Sequence, residues 1–213
     1  VDEAELQAEH VEVLLLPLGR GPHRRASLGR GQGRTARGAG GLRIVGDTHR
    51  HPHLDELERV LHREGLDVDQ LVSKITAKTK LIILNYPHNP TGGVIPEAGL
   101  RAIADAAVQH RIPVLADEIY SQILYEGKHV SISAMPGMDT LAIVLDGFSK
   151  TYAMTGWRLG YGIMPAPLAQ VIAKLQTNAV SCTATFTQVA GAAALRGDHS
   201  GVHAMVAEFK RRR

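Results

Sequence analysis

Lys150 lies in a stretch from Gly147 to Gly162 that reads Gly-Phe-Ser-Lys-Thr-Tyr-Ala-Met-Thr-Gly-Trp-Arg-Leu-Gly-Tyr-Gly. Glycines before and after a lysine let the backbone approach a ligand closely. Eight residues on, Arg158 opens a run to Ile163 whose alternation suits a strand edge. A guanidinium fixed there is a fork for an anion. One amine and one guanidinium then face one site, which suits a small anionic ligand held within reach of an amine. Taken singly, a lysine is a solvated surface group in roughly nine cases of ten, and an arginine is a surface ion pair worth little. The functional reading therefore depends on what else reaches the same place.

The elements that must position these groups are legible from about Gly65 onward. Asp67 to Ile75 is helical in pattern, and Leu81 to Leu84 is an apolar run that suits a strand buried on both faces. The segment from Asn85 to Gly93 (Asn-Tyr-Pro-His-Asn-Pro-Thr-Gly-Gly) forces a loop at that strand's C-terminal end. Glu97 to His110 follows as a helix with Leu100, Ile103, Ala104, Ala107 and Val108 on one face. Pro113 to Ala116 is a short strand ending at Asp117, and Leu141 to Leu145 is another, ending just before Lys150. Strands and helices so spaced imply an α/β fold of three layers, α/β/α, with a mainly parallel sheet. Ligands of such sheets sit beyond the C-terminal strand ends, where Asn89, Asp117 and Lys150 all fall. Pro167 to about Thr177 reads as a helix, Ser181 to Thr187 as a polar turn, and Val202, Met205, Val206 and Phe209 recur at helical spacing.

Three motifs in order carry a family resemblance. Asn89-Pro90-Thr91-Gly92 resembles the asparagine-proline-threonine-glycine motif of class I/II aminotransferases of fold type I, Asp117-Glu118-Ile119-Tyr120 resembles their Asp-Glu-x-Tyr motif, and Ser149-Lys150 with Gly156-Trp157-Arg158-Leu159-Gly160-Tyr161 resembles their pyridoxal-phosphate lysine signature. The branch most similar is that of bacterial-type aspartate aminotransferases. The resemblance covers residues 65–213 and implies an incomplete large domain, with the small C-terminal domain absent. It implies pyridoxal 5'-phosphate as cofactor, amino-group transfer from an α-amino acid, aspartate or one like it, to a 2-oxo acid, and a homodimer. By the same resemblance Lys150 forms the Schiff base and then acts as the base at the substrate Cα. Asp117 pairs with the pyridine nitrogen, Tyr120 and Asn89 donate to the phenolic oxygen, and Arg158 and Ser149 hold the phosphate. Each has an ordinary alternative: a helix N-cap for Asp117, a packed aromatic for Tyr120, a turn asparagine for Asn89. Gly147 departs from the pattern, since some relatives carry a phosphate-binding serine there. A lyase or synthase on the same cofactor is the alternative chemistry.

Residues 1–64 are of another texture. Eight glycines and six arginines fill most of Gly19 to Gly41, and six of the chain's eleven histidines precede Gly65. This segment reads as disordered or as the product of a shifted reading frame; the competing reading is an interaction or RNA-binding module, for which it lacks the interleaved aromatics. His49, His51 and His53 are a weak metal signal with Pro52 among them, and no metal is expected. The family's glycine-rich phosphate turn and ring-stacking aromatic are not recognisable there, so weak cofactor binding is expected of the chain alone. The chain opens on Val1 and closes on a basic helical run, which reads as a fragment.

The bulk properties exclude little. A net charge of +3 and 44% hydrophobic residues are ordinary for a globular chain. Cys182, the single cysteine, rules out an internal disulfide framework and favours a reducing, cytoplasmic setting. No apolar run is long enough to span a membrane, and the concentration of basic residues in two places argues against nucleic acid as partner.

Overall fold

A computed structural model describes residues 66–213 in full and the backbone of residues 11–17 and 43–45. The Arg/Gly stretch from Gly19 to Gly41 and the histidines at 49, 51 and 53 lie outside the described residues. The elements in chain order are β1 (Val11–Pro17), β2 (Arg43–Val45), α1 (Val68–Ser73), β3 (Leu81–Asn85), α2 (Glu97–His110), β4 (Val114–Asp117), β5 (Ala142–Gly147), α3 (Phe148–Thr151), β6 (Leu159–Pro165), α4 (Ala166–Val180), α5 (Thr185–Arg196) and α6 (Ser200–Arg212). Single 3₁₀ turns occur at Ile132–Ala134 and Thr155–Trp157.

The strands form one sheet in the order β1-β6-β5-β4-β3-β2. The α/β class holds, but the sheet is mixed rather than mainly parallel. Only β3, β4 and β5 run parallel, while β2, β6 and β1 join antiparallel. For β6 the reason is length. Between β3 and β4 the chain has room for the α2 crossover, whereas β5 and β6 are separated by α3 and a 3₁₀ turn alone. A parallel return needs a dozen or more residues, so β6 folds back alongside β5. The connection from β4 to β5 is a long loop with the 3₁₀ turn at Ile132–Ala134 instead of an α-helix.

Helix α1 starts where Asp67 accepts the Gln70 N–H at 2.8 Å, an N-cap bond. Helix α2 presents Leu100, Ile103, Ala104 and Ala107, all fully buried, to Ile82, Leu84, Val114 and Ala116 of the sheet. Val108, expected on that face, is 39% exposed; it falls on the flank of the stripe, and Ala106 is buried instead. Strand β3 alternates between buried and half-buried residues, so Ile82 and Leu84 carry the core while Leu81 and Ile83 do not. A second packed region joins Phe148 of α3 to Leu159 of β6 at Gly191 of α5. A methyl group on Gly191 would lie 3.0 Å from the Phe148 ring, so the helix approaches this closely only because the position has no side chain. Val202, Met205 and Val206 of α6 are half-buried and Phe209 is 40% exposed. The basic end of α6 is tied within the chain, Arg211 and Arg212 to Glu208 and Lys210 to the Tyr125 carbonyl. Among the described residues no helix is long and apolar enough to cross a membrane.

Candidate active site

Strand register places the site. Asn85, Asp117 and Leu145 stand abreast at the C-terminal ends of β3, β4 and β5. The ladder continues one step further, with the Tyr86 N–H donating to the Asp117 carbonyl at 3.2 Å and the Glu118 N–H to the Leu145 carbonyl at 2.8 Å. Beyond these ends come the Asn89 loop, Tyr120, and α3 with Lys150.

The four-residue α3 buries Phe148, Ser149 and Thr151, leaving Lys150 half-buried. Beneath it Phe148 packs tilted on Tyr152, with ring centroids 5.5 Å apart, and edge-on against Tyr161 at 5.7 Å. Aromatic pairs of this kind add about 0.5–1.5 kcal/mol each beyond burial. Lys150 Nζ lies 5.6 Å from the centre of the Tyr120 ring, within cation–π range. Tyr120 Oη in turn accepts from Asn89 Nδ2 at 3.1 Å. Asn89, Tyr120 and Lys150 are therefore brought together.

Asp117 is half-buried, and its carboxylate accepts the Ile119 N–H at 3.3 Å. No helix begins there, so the N-cap alternative is not realised. Burial pushes its pKa above the usual aspartate value, against the opposing pull of the Ile119 and Asn85 hydrogen bonds. Asp146, on β5, is raised for the same reason, although Gly147 N–H, Tyr161 and Ser121 all donate to it. Burial raises the Tyr161 phenol too, with the Asp146 charge adding to it.

Ser149 and Arg158 form a second group. The Arg158 guanidinium donates to the Thr155 carbonyl at 2.9 Å, and the Thr155 hydroxyl donates to the Ser149 carbonyl at 2.9 Å. Their bonds run to Thr155 and not to the Asn89–Tyr120–Lys150 group. Arg158 precedes β6 rather than lying in it, and its backbone is left-handed, φ 56°. The Ser149 hydroxyl is buried with no partner. A cleft of about 440 Å³ opens beside Arg158, lined also by Trp157, Cys182, Thr183 and Phe186. The segment from Ser181 to Thr187, which reads in sequence as a polar turn, supplies most of that wall, and nothing in its local composition connects it with an arginine on another element.

Gly147 has a steric explanation. A Cβ there would meet Gly160 Cα at 2.9 Å and the Leu159 carbonyl oxygen at 3.1 Å. Both are backbone atoms of the neighbouring strand, so a serine does not fit without moving β6. Sequence reasoning also missed a group behind the site. Tyr86, His129, Ser131 and the Ile132 N–H converge on the buried Glu118 carboxylate. Among the described residues no cluster of three or more histidine, cysteine, aspartate or glutamate side chains could hold a metal ion.

A sheet whose central strand ends present an asparagine, an aspartate and a lysine to one side defines an α/β protein with a ligand site at its C-terminal edge. The chain belongs to the family of aminotransferases class I and II, whose sequence model matches residues 56–213. It is 44% identical over 151 residues to an aspartate aminotransferase of Pyrococcus abyssi and 43% identical over 151 residues to aromatic-amino-acid aminotransferase 2 of Thermococcus litoralis, covering 70% of this chain and 39% of each relative. Among solved structures it resembles the aromatic aminotransferase of Pyrococcus horikoshii, with a TM-score of 0.66 at 41% identity over 69% of this chain and 40% of that one. It also resembles an aspartate aminotransferase of Thermus thermophilus, with a TM-score of 0.62 at 34% identity over 69% of this chain and 39% of that one. The chain thus spans about two fifths of the length of these relatives.

Proposed function

We propose that residues 65–213 are the cofactor-binding part of a large domain in a pyridoxal-phosphate-dependent aminotransferase, which moves the amino group of an α-amino acid, aspartate or an aromatic one, to a 2-oxo acid. The observation that carries this reading is the convergence of Lys150, Tyr120 and Asn89 beyond strand ends that set Asp117 at their centre.

Two features fit the cofactor independently of that convergence. Asp117 is a desolvated carboxylate suited to a cationic ring nitrogen, and the buried Ser149 hydroxyl has an unused donor suited to a phosphate oxygen. When bound, the cofactor supplies an electron sink for the charge that develops at the substrate Cα. Lys150 Nζ would be the amine that holds the cofactor and the base that moves a proton at the substrate Cα. Asp117 would keep the ring nitrogen protonated, and Tyr120 Oη with Asn89 Nδ2 would orient the phenolic oxygen. Arg158 would hold the phosphate as a charge-assisted fork. The names of the matched relatives support aspartate or an aromatic amino acid as donor. We assign the enzyme to the cytoplasm and to a homodimer. Val171, Leu175, Phe186 and Val189, each more than half exposed on α4 and α5, suit a subunit interface.

Borohydride reduction of the full-length protein in the presence of pyridoxal phosphate tests the reading. A cofactor mass on the Lys150 peptide, absent from Lys150→Arg, is expected, together with transamination of aspartate or an aromatic amino acid. No adduct at Lys150 overturns the proposal.

A further inference from the structure

Glu118 lies between Asp117 and Tyr120 yet faces away from them, 4% exposed. Its Oε1 accepts from Tyr86 Oη at 2.9 Å, Ser131 Oγ at 2.8 Å and the Ile132 N–H at 3.4 Å, and its Oε2 from His129 Nε2 at 2.7 Å. A carboxylate this deeply buried is tolerated because it is hydrogen-bonded on both oxygens. The origin of the donors gives the arrangement its function. Tyr86 is the first residue after β3 and leads directly into the loop that carries Asn89. His129, Ser131 and Ile132 belong to the long connection between β4 and β5, which has no sheet pairing of its own. The Tyr86 hydroxyl is used twice, donating to Glu118 and accepting from the Ile132 N–H at 2.7 Å.

The Asn89 loop is braced mainly within itself. Its backbone bonds run between His88 and Gly93 and between Gly92 and His88, and His88 Nδ1 meets Thr91 Oγ1. Its attachment to the strand ends passes through Asn85, whose Oδ1 stands 3.4 Å from the Asn89 N–H, through the Asn89 side chain to Tyr120, and through Tyr86, whose N–H bonds the Asp117 carbonyl and whose hydroxyl bonds Glu118. The 3.4 Å bond is long for an amide donor, so Tyr86 is the firmer anchor.

We propose that Glu118 is a positioning residue: through Tyr86 and the 129–132 segment it holds the Asn89 loop in register with the strand end that carries Asp117 and Tyr120. It touches neither substrate nor cofactor. It keeps the Asn89–Tyr120 pair at hydrogen-bonding distance, and so fixes the donors that face the phenolic oxygen under the pyridoxal-phosphate reading, on which this inference rests.

The test uses the full-length protein with Tyr86→Phe, Glu118→Ala and Glu118→Gln. Hydrogen exchange of the 85–93 peptide in the cofactor-free protein reads the anchor directly. Faster exchange in Tyr86→Phe and Glu118→Ala is expected, with kcat at least about tenfold lower and KM for the amino acid within about twofold of wild type. Glu118→Gln keeps an acceptor for Tyr86 and Ser131 and is expected to recover most of kcat. If exchange of 85–93 is unchanged in Tyr86→Phe, which retains the ring and its packing, the inference is overturned. A lower melting temperature with unchanged kcat per bound cofactor overturns it equally, since that is a purely structural role. Wild-type protein that fails to capture pyridoxal phosphate on Lys150 refutes the underlying reading instead, and that control separates the two failures.

Discussion

Gly147→Ala tests whether β6 is pressed against the strand that delivers Lys150. Gly147 is extended, φ 176°, a conformation open to any residue, so its requirement is for space. An added methyl would lie 2.9 Å from Gly160 Cα, 3.1 Å from the Leu159 carbonyl oxygen and 3.4 Å from Ile119 Cδ1. The first two obstacles are main chain and cannot rotate aside. Unstrained carbon–carbon contacts lie at about 3.5–4.0 Å, so β6 must withdraw by roughly 0.6–1 Å where Gly147 pairs with Gly160. Overpacking costs about 1–3 kcal/mol, and an unyielding backbone places this case in the upper half of that range. At about 2–4 °C per kcal/mol for a unit of 150–250 residues, melting should fall by about 4–12 °C. Cofactor capture should fall as well, because the lysine's helix begins at the next residue. Differential scanning calorimetry of the full-length protein measures the first effect and borohydride trapping the second. Gly201→Ala is the control: no atom lies within 4 Å of its Cβ position in α6, and alanine there should gain up to about 1 kcal/mol. Melting of Gly147→Ala within about 1 °C of wild type, with normal trapping, would falsify the close approach of the two strands.

Asp117→Asn should cost about three decades in the rate of the loaded enzyme, since a carboxylate about 4 Å from a cation is worth about 4 kcal/mol at an effective dielectric near 20; steady-state kinetics measures it. The same substitution should stabilise the cofactor-free protein at neutral pH. Burial raises the Asp117 pKa in the folded state, so the folded protein binds more protons than the unfolded one between the ordinary and the raised value, and stability from this group falls as pH rises through that window. Urea unfolding of both proteins should therefore differ at pH 7 and converge below the ordinary aspartate pKa. Arg158→Lys should weaken pyridoxal-phosphate binding about tenfold or more, one charge-assisted hydrogen bond being worth about 1.5–3 kcal/mol, as read by fluorescence titration of the cofactor-free protein. Asp67→Ala removes the N-cap bond to Gln70 and should destabilise by about 1 kcal/mol in thermal melts.

The candidate site was legible because it is local. Asn89, Asp117 and Lys150 each follow an apolar run by a few residues, and Pro, Gly and Asp end a strand by mechanisms that depend on the nearest neighbours alone. The α2 helix is bounded by Pro96 and by the left-handed Arg111, and its predicted span, Glu97 to His110, is the observed one. The direction of β6 was decided by the shortness of the chain between it and β5, which hydrophobic pattern does not report. The Glu118 group was hidden for a different reason. Its donors lie as far as 32 residues away, and the residue between two apparent site residues looked like part of the same motif while pointing to the opposite side. The wall that Cys182, Thr183 and Phe186 add beside Arg158 likewise exists only once α4 has carried the chain back.

The central place of β4 has a consequence for the order in which the site can come into being. Its neighbours β3 and β5 pair only with it and with the outer strands, and both parallel pairings close long loops, which makes them slow steps. A chain emerging from a ribosome holds Asn89, Asp117 and Tyr120 well before Lys150 is synthesised, and the amine reaches them only when β5 has docked beside β4. The proposed attachment point is thus the last of the four to arrive, so cofactor capture during biosynthesis would report that β5 has docked beside β4, before β6 and β1 complete that side of the sheet.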